Sequence, residues 1–142
     1  REVDRMDPIL RIEKKEGYLR ASVTGENTPE NIFAYLMQIR RACAEHACTS
    51  VLIEENLRGP SLDLKNIFEI VSLSSEGTDP LVKRVAYVDM NPEHDPIKME
   101  FAVNVAVGLG LDVRAFPGVE EARLWLLGPA GPNAPDDAAR ER

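Results

Sequence analysis

Leu10 and Ile12 alternate with Arg11 and Glu13, and Leu19, Ala21 and Val23 alternate with Arg20, Ser22 and Thr24 across the short Glu16-Gly17 link. A two-residue period on both sides of a turn predicts a hairpin with one buried face. Thr28-Pro29-Glu30 then supplies a cap, a proline at the first helical position and an acid in the first turn. Ile32, Leu36, Ile39 and Cys43 recur at helical spacing behind it, so a helix is predicted from about Pro29 to Ala47.

From there alternation gives way to short apolar strands separated by helices. Val51 to Glu55 and Arg84 to Asp89 are runs of the kind found in strands covered on both faces. Between them Leu64, Ile67, Phe68 and Val71 form the stripe of a second helix ending near Ser75-Glu76-Gly77. A third helix, from about Pro96 to Leu109, places Ile97, Phe101 and Val105 on one face with Ala102 and Ala106 beside them, and Gly108-Leu109-Gly110 closes it. Asp112 to Phe116 is the last predicted strand, and Val119, Ala122, Trp125 and Leu126 mark a short final helix. The order β-β-α-β-α-β-α-β-α implies an α/β fold whose mixed sheet begins with an antiparallel hairpin and continues through strand-helix units.

Composition narrows the classes. At 142 residues the chain has a one-domain length, and 44% apolar with 29% charged residues is close to the globular average. The net charge of -7 opposes a phosphate backbone, and Lys14-Lys15 and Arg40-Arg41 are only pairs, so no nucleic-acid partner is expected. No apolar run approaches the roughly 18 residues of a membrane span, and "REVDRMDPIL" lacks the apolar stretch of a signal peptide, which points to the cytoplasm without integral membrane insertion. Cys43 and Cys48 lie five residues apart near a helix end, about 140° apart around its axis, and read as reduced thiols instead of a disulfide or metal pair. Residues 1–8 read as an N-terminal extension. Residues 128–142, "GPAGPNAPDDAARER", read as a flexible C-terminal tail.

The strand "VLIEEN", the turn "LRGPSLDL", the strand "KRVAYVD" and the ending "VRAFPGVEEARLWL" resemble the SpoIIAA-like branch of the STAS domains, the group named for sulfate transporters and anti-sigma factor antagonists. The likeness spans about Ile9 to Leu127, and its most specific part is Arg114-x-Phe116 followed by Glu121-Ala122 and Trp125-Leu126. It implies a four- or five-stranded sheet with helices mainly on one face, so that residues 9–127 form a STAS-like domain. It also implies a non-enzymatic regulatory or binding module, engaging a protein partner or a small apolar ligand. A homodimer is left open by the likeness, and the branch is similar in fold to lipid carriers of the Sec14 kind. In phosphoswitch members the regulated serine starts the helix after the third strand, where Ser61 stands here. Pro60 precedes it in place of Asp, and Leu62-Asp63 follow without the glycine of that motif.

Three groups of residues remain as candidates. On the turn, Arg58, Gly59 and Ser61 are expected contacts; Ser61 has a plain reading as a helix cap and a rival one as an anion or phosphorylation site. Asp63 supports the plain reading through its charge near the helix start. Phe68, Phe101 and Trp125, with Val71 and Val105, exceed what a small sheet needs; plain core packing against the sheet is the first reading, and a gap between the second and third helices that admits an acyl chain is the alternative. Glu54, Glu55 and Asp89 at strand ends suggest Mg²⁺ chemistry, or simply solvated acids, and the lysine and acidic pair of a phosphate receiver are missing. His94 in "NPEHDP" reads as part of a surface loop, with Asp95-Pro96 as cap and first helical residue. Neither a Gly-rich phosphate loop nor a Gly-x-Ser-x-Gly elbow occurs, so catalysis, a cofactor and a metal are not expected.

Overall fold

A computed structural model describes residues 9–76 and 82–128. The expected extension over residues 1–8 and all but Gly128 of the expected tail lie outside the described residues. The hairpin joins β1 (Ile9–Lys15) to β2 (Tyr18–Glu26) in antiparallel register, Leu10 opposite Val23 and Ile12 opposite Ala21. Its turn needs Gly17, whose φ of 93° lies in the left-handed region open to glycine.

Helix α1 (Pro29–His46) starts as its sequence dictates. The Thr28 side chain accepts from Asn31 N, Pro29 occupies the first turn, and Asn31, Tyr35, Ile39, Ala42 and Cys43 are buried. β3 (Ser50–Arg58) runs three residues further than its apolar core suggests, because Gly25 and Glu26 of β2 still pair with Leu57 and Arg58. α2 (Leu64–Ser74), β4 (Arg84–Asp89), α3 (Pro96–Gly108), β5 (Asp112–Ala115) and α4 (Val119–Leu127) follow. The strands lie in the order β1-β2-β3-β4-β5, antiparallel between β1 and β2 and parallel afterwards.

Alternation along the central strands builds two cores. On one face Leu19, Ala21, Val23, Val51, Ile53 and Leu57 pack with Tyr35, Ile39, Ala42 and Cys43 of α1. On the other, Tyr18, Leu52, Ala86 and Val88 pack with Ala122 and Leu126 of α4. α2 packs against α1 and α3. Only Ile70 of α2 and Ala106 of α3 are buried, so these two helices cover the α1 face without being pressed into it. Among the described residues no helix is long and apolar enough to cross a membrane. Cys43 and Cys48 are free thiols, and burial pushes Cys43 up to about 11.

Candidate functional site

Under α2 and α3 lies a cavity of about 540 Å³, within the roughly 300–1,000 Å³ of small-molecule sites. Its floor is the sheet face carrying Val51, Ile53 and Val85; its roof is Ile67, Ile70 and Val71 of α2 with Met99, Ala102 and Val103 of α3; Ile32, Leu36 and Ile39 of α1 form a side wall. Ser61 and Leu62 of the turn before α2 also line it.

One end is polar, and the register explains why. Along β3 the inward positions read Val51, Ile53, Glu55, Leu57, so a glutamate interrupts an apolar row. Across the parallel pair Ile53 faces Tyr87 and Glu55 faces Asp89. Glu55 is 3% exposed. The hydroxyl of Tyr35 donates to its Oε2 and that of Tyr87 to its Oε1. Burial raises the Glu55 pKa, and the two phenol hydrogen bonds only partly offset it. Burial and the Glu55 charge in turn hold both phenols well above their ordinary range.

Asp89 is tied to the loop that follows it. Its Oδ1 accepts from Asn91 N at 3.0 Å, and its Oδ2 lies 2.7 Å from His94 Nδ1. His94 Nε2 lies 2.9 Å from the Gly59 carbonyl and 3.3 Å from Asn91 Nδ2. The Asp89 carboxylate and the Gly59 carbonyl both accept, an arrangement that suits the protonated, cationic ring. Partial burial opposes that charge, but the Asp89 hydrogen bond and the Gly59 carbonyl outweigh it, and His94 titrates above its usual value. The cation thus clamps the β3–α2 turn to the end of β4.

The structure places the sequence candidates unevenly. Ser61 lines the cavity but does not cap α2: Asp63 does, its carboxylate accepting from Asn66 N at 2.8 Å, because Asp63 directly precedes the first helical residue. Ser61 Oγ instead accepts from Asp95 N at 2.9 Å and so links the turn to the start of α3. Gly59 offers its carbonyl to His94, and Arg58 extends to Glu26 at 3.0 Å. Phe68, Phe101 and Trp125 do not line the gap between α2 and α3. Phe68 points outward at 52% exposure, and Trp125 sits on the opposite face of the sheet, under Arg84 at 4.0 Å and beside Phe116 at 5.5 Å. Glu54 also faces that side, in a two-point pair with Arg20 at 2.5 and 3.1 Å. Strand alternation therefore separates Glu54 from Glu55, and among the described residues no His/Cys/Asp/Glu group is arranged to hold a metal ion.

Sequence reasoning missed Tyr35 and Tyr87 as site residues and took His94 for a surface loop. The signal available was the lone acid at an inward position of β3, with a tyrosine and an acid at inward positions of β4.

No protein-family model matches the chain, and no curated protein matches it. Among solved structures it is similar to an uncharacterized protein of the DUF3478 family with a SpoIIAA-like fold from Shewanella loihica PV-4. The two are 21% identical, the match covers 84% of this chain and 94% of that one, and the TM-score is 0.50. The mixed sheet led by an antiparallel pair is thus the SpoIIAA-like, STAS-like fold.

Proposed function

We propose that this STAS-like chain is a non-enzymatic binding module whose ligand is a small apolar molecule held beneath α2 and α3. The observation that carries the reading is the cavity of about 540 Å³ with apolar residues on floor, wall and roof. A space of this size under two barely buried helices leaves apolar side chains without packing partners, which an apolar ligand would supply. The non-enzymatic part rests on the polar groups being engaged: Ser61 Oγ accepts from Asp95 N, and both ring nitrogens of His94 are held, by Asp89 and by the Gly59 carbonyl. The turn of residues 56–63 enters this reading as part of the cavity wall, through Ser61 and Leu62.

Native mass spectrometry of gently purified full-length protein, followed by titration with decanol, tests the reading. An apolar adduct lost on denaturation, or saturable binding of one decanol, is the expected result. A bare polypeptide that takes up no decanol would overturn it. The partner-binding form of the reading is favoured by Leu64 and Phe68, one helical turn apart on α2 and 47% and 52% exposed.

A further inference from the structure

The apolar-ligand reading leaves open what the polar end of the cavity recognises, and the inventory of donors and acceptors there narrows it. Each oxygen of Glu55 accepts one phenol hydrogen, so the hydroxyls of Tyr35 and Tyr87 have no proton left to offer. What these three side chains still present are lone pairs: a further one on each carboxylate oxygen, and those of the phenol oxygens. Asp89 likewise accepts from Asn91 N and His94 and has only acceptor capacity in reserve. A ligand group able to bond here must donate.

Charge points the same way. Glu55 and Asp89 are register partners on the parallel strands β3 and β4 and face one side of the sheet, so two carboxylates stand side by side there. His94 offsets Asp89, and the nearest partners of Glu55 are two neutral phenols. Of the other cations on the lining, Arg40 donates to the carbonyls of Ser74 and Glu76 at the C-terminal end of α2, and Lys98 stands on the first turn of α3, three residues after Asp95, with no hydrogen bond to Glu55.

We propose that Glu55, framed by Tyr35 and Tyr87 with Asp89 beside it, receives the ammonium head of an amine-bearing apolar ligand whose chain lies along the apolar lining. The inference rests on the apolar-ligand reading and specifies its head group. An ammonium brings up to three donors and a positive charge to a wall of acceptors, and a carboxylate head would bring neither.

The test compares decylammonium, decanol and decanoate on the full chain by isothermal titration calorimetry, at a salt concentration that screens surface charge. Decylammonium is expected to bind one per chain and at least tenfold tighter than decanol, with decanoate weakest. Glu55→Gln, close to isosteric, is expected to abolish the preference for decylammonium over decanol. Tyr87→Phe keeps the ring and frees one carboxylate oxygen, so it should change the amine-to-decanol ratio severalfold; it decides the matter should Glu55→Gln not fold. Decanol binding as tightly as the amine, or decanoate binding tightest, would overturn the head-group assignment while the cavity reading stands. An amine preference untouched by either variant would overturn the role of Glu55. Binding of none of the three would overturn both readings.

Discussion

His94 joins two chain segments that the sheet alone does not hold together. Its ring bonds Asp89 at the end of β4 and the Gly59 carbonyl in the turn after β3, with a side chain only 7% exposed. The folded-state pKa lies above the ordinary histidine value, so the imidazolium is favoured by folding. That stabilisation is fully present below the unfolded histidine pKa and is lost as pH rises through the raised folded value. Urea unfolding across this window is expected to show stability falling with rising pH, and His94→Gln should flatten the fall. At the low end of the window the substitution should cost about 2 kcal/mol, the scale of hydrogen bonds to a charged group. An unchanged pH slope in the variant would assign the titration elsewhere. The histidine was hard to read from sequence because its partners, Asp89 and Gly59, are five and 35 positions away. The neighbouring Glu93 and Asp95, which draw attention in a linear reading, are not its partners. Ser61 misleads in the opposite way: serine suits a cap, but Asp63 stands two residues nearer the helix and takes the role.

Among the elements, α1 and α2 share helical periodicity and differ in how it is used. Five residues of α1 are buried, Tyr35 at 1% and Ile39 at 3% among them, against Ile70 alone in α2. Local stability follows burial, so native-state amide exchange should be slower through the middle of α1 than anywhere in α2. Asp63→Ala removes the cap of α2 and should cost about 1 kcal/mol, with the added exchange confined to α2. Equal protection in the two helices would show that α2 is anchored more firmly than its burial indicates. Strand and helix identities were legible because periods of 2.0 and 3.6 survive in single short segments. The inward face of α2 and α3 was legible only in part. Ile67 and Val71 of the α2 stripe line the cavity, as do Ala102 and Ala106 beside the α3 stripe, whereas Phe68 and Phe101 do not. Ile97 is left 70% exposed. α3 carries apolar side chains on most of its circumference and so gives little phase to separate Phe101 from the residues that face the cavity.

At the scale of the molecule the sheet divides two kinds of packing. Toward α4 the core is filled: Leu52 and Ala122 are 0% exposed, and Trp125 fits between Arg84 and Phe116. That explains why Trp125, the largest apolar side chain in the sequence and an obvious candidate for a ligand contact, belongs to structure instead. Toward α2 and α3 the core is hollow. Sequence cannot distinguish these faces, since both are lined by the same aliphatic residues and the difference is one of volume. Truncation can distinguish them. Leu52→Ala empties a filled site and should cost about 3 kcal/mol, within the range for leucine in a packed core. Ile70 is also buried, at 6% exposed, but one side of it borders the cavity, where it has no packing partners to lose. Ile70→Ala should therefore cost about 1–2 kcal/mol in ligand-free protein. Decanol at about a hundred times its dissociation constant should then stabilise the parent chain by about 2.7 kcal/mol, through binding to the folded state alone. Because Ile70 forms part of the roof, its truncation should take away much of that gain and Leu52→Ala should not, so the cost of the Ile70 change rises when ligand is present. Urea unfolding of the three proteins with and without decanol separates the cases. Equal costs in ligand-free protein would mean that α2 and α3 close onto the sheet in solution, and the ligand would then have no preformed space to enter.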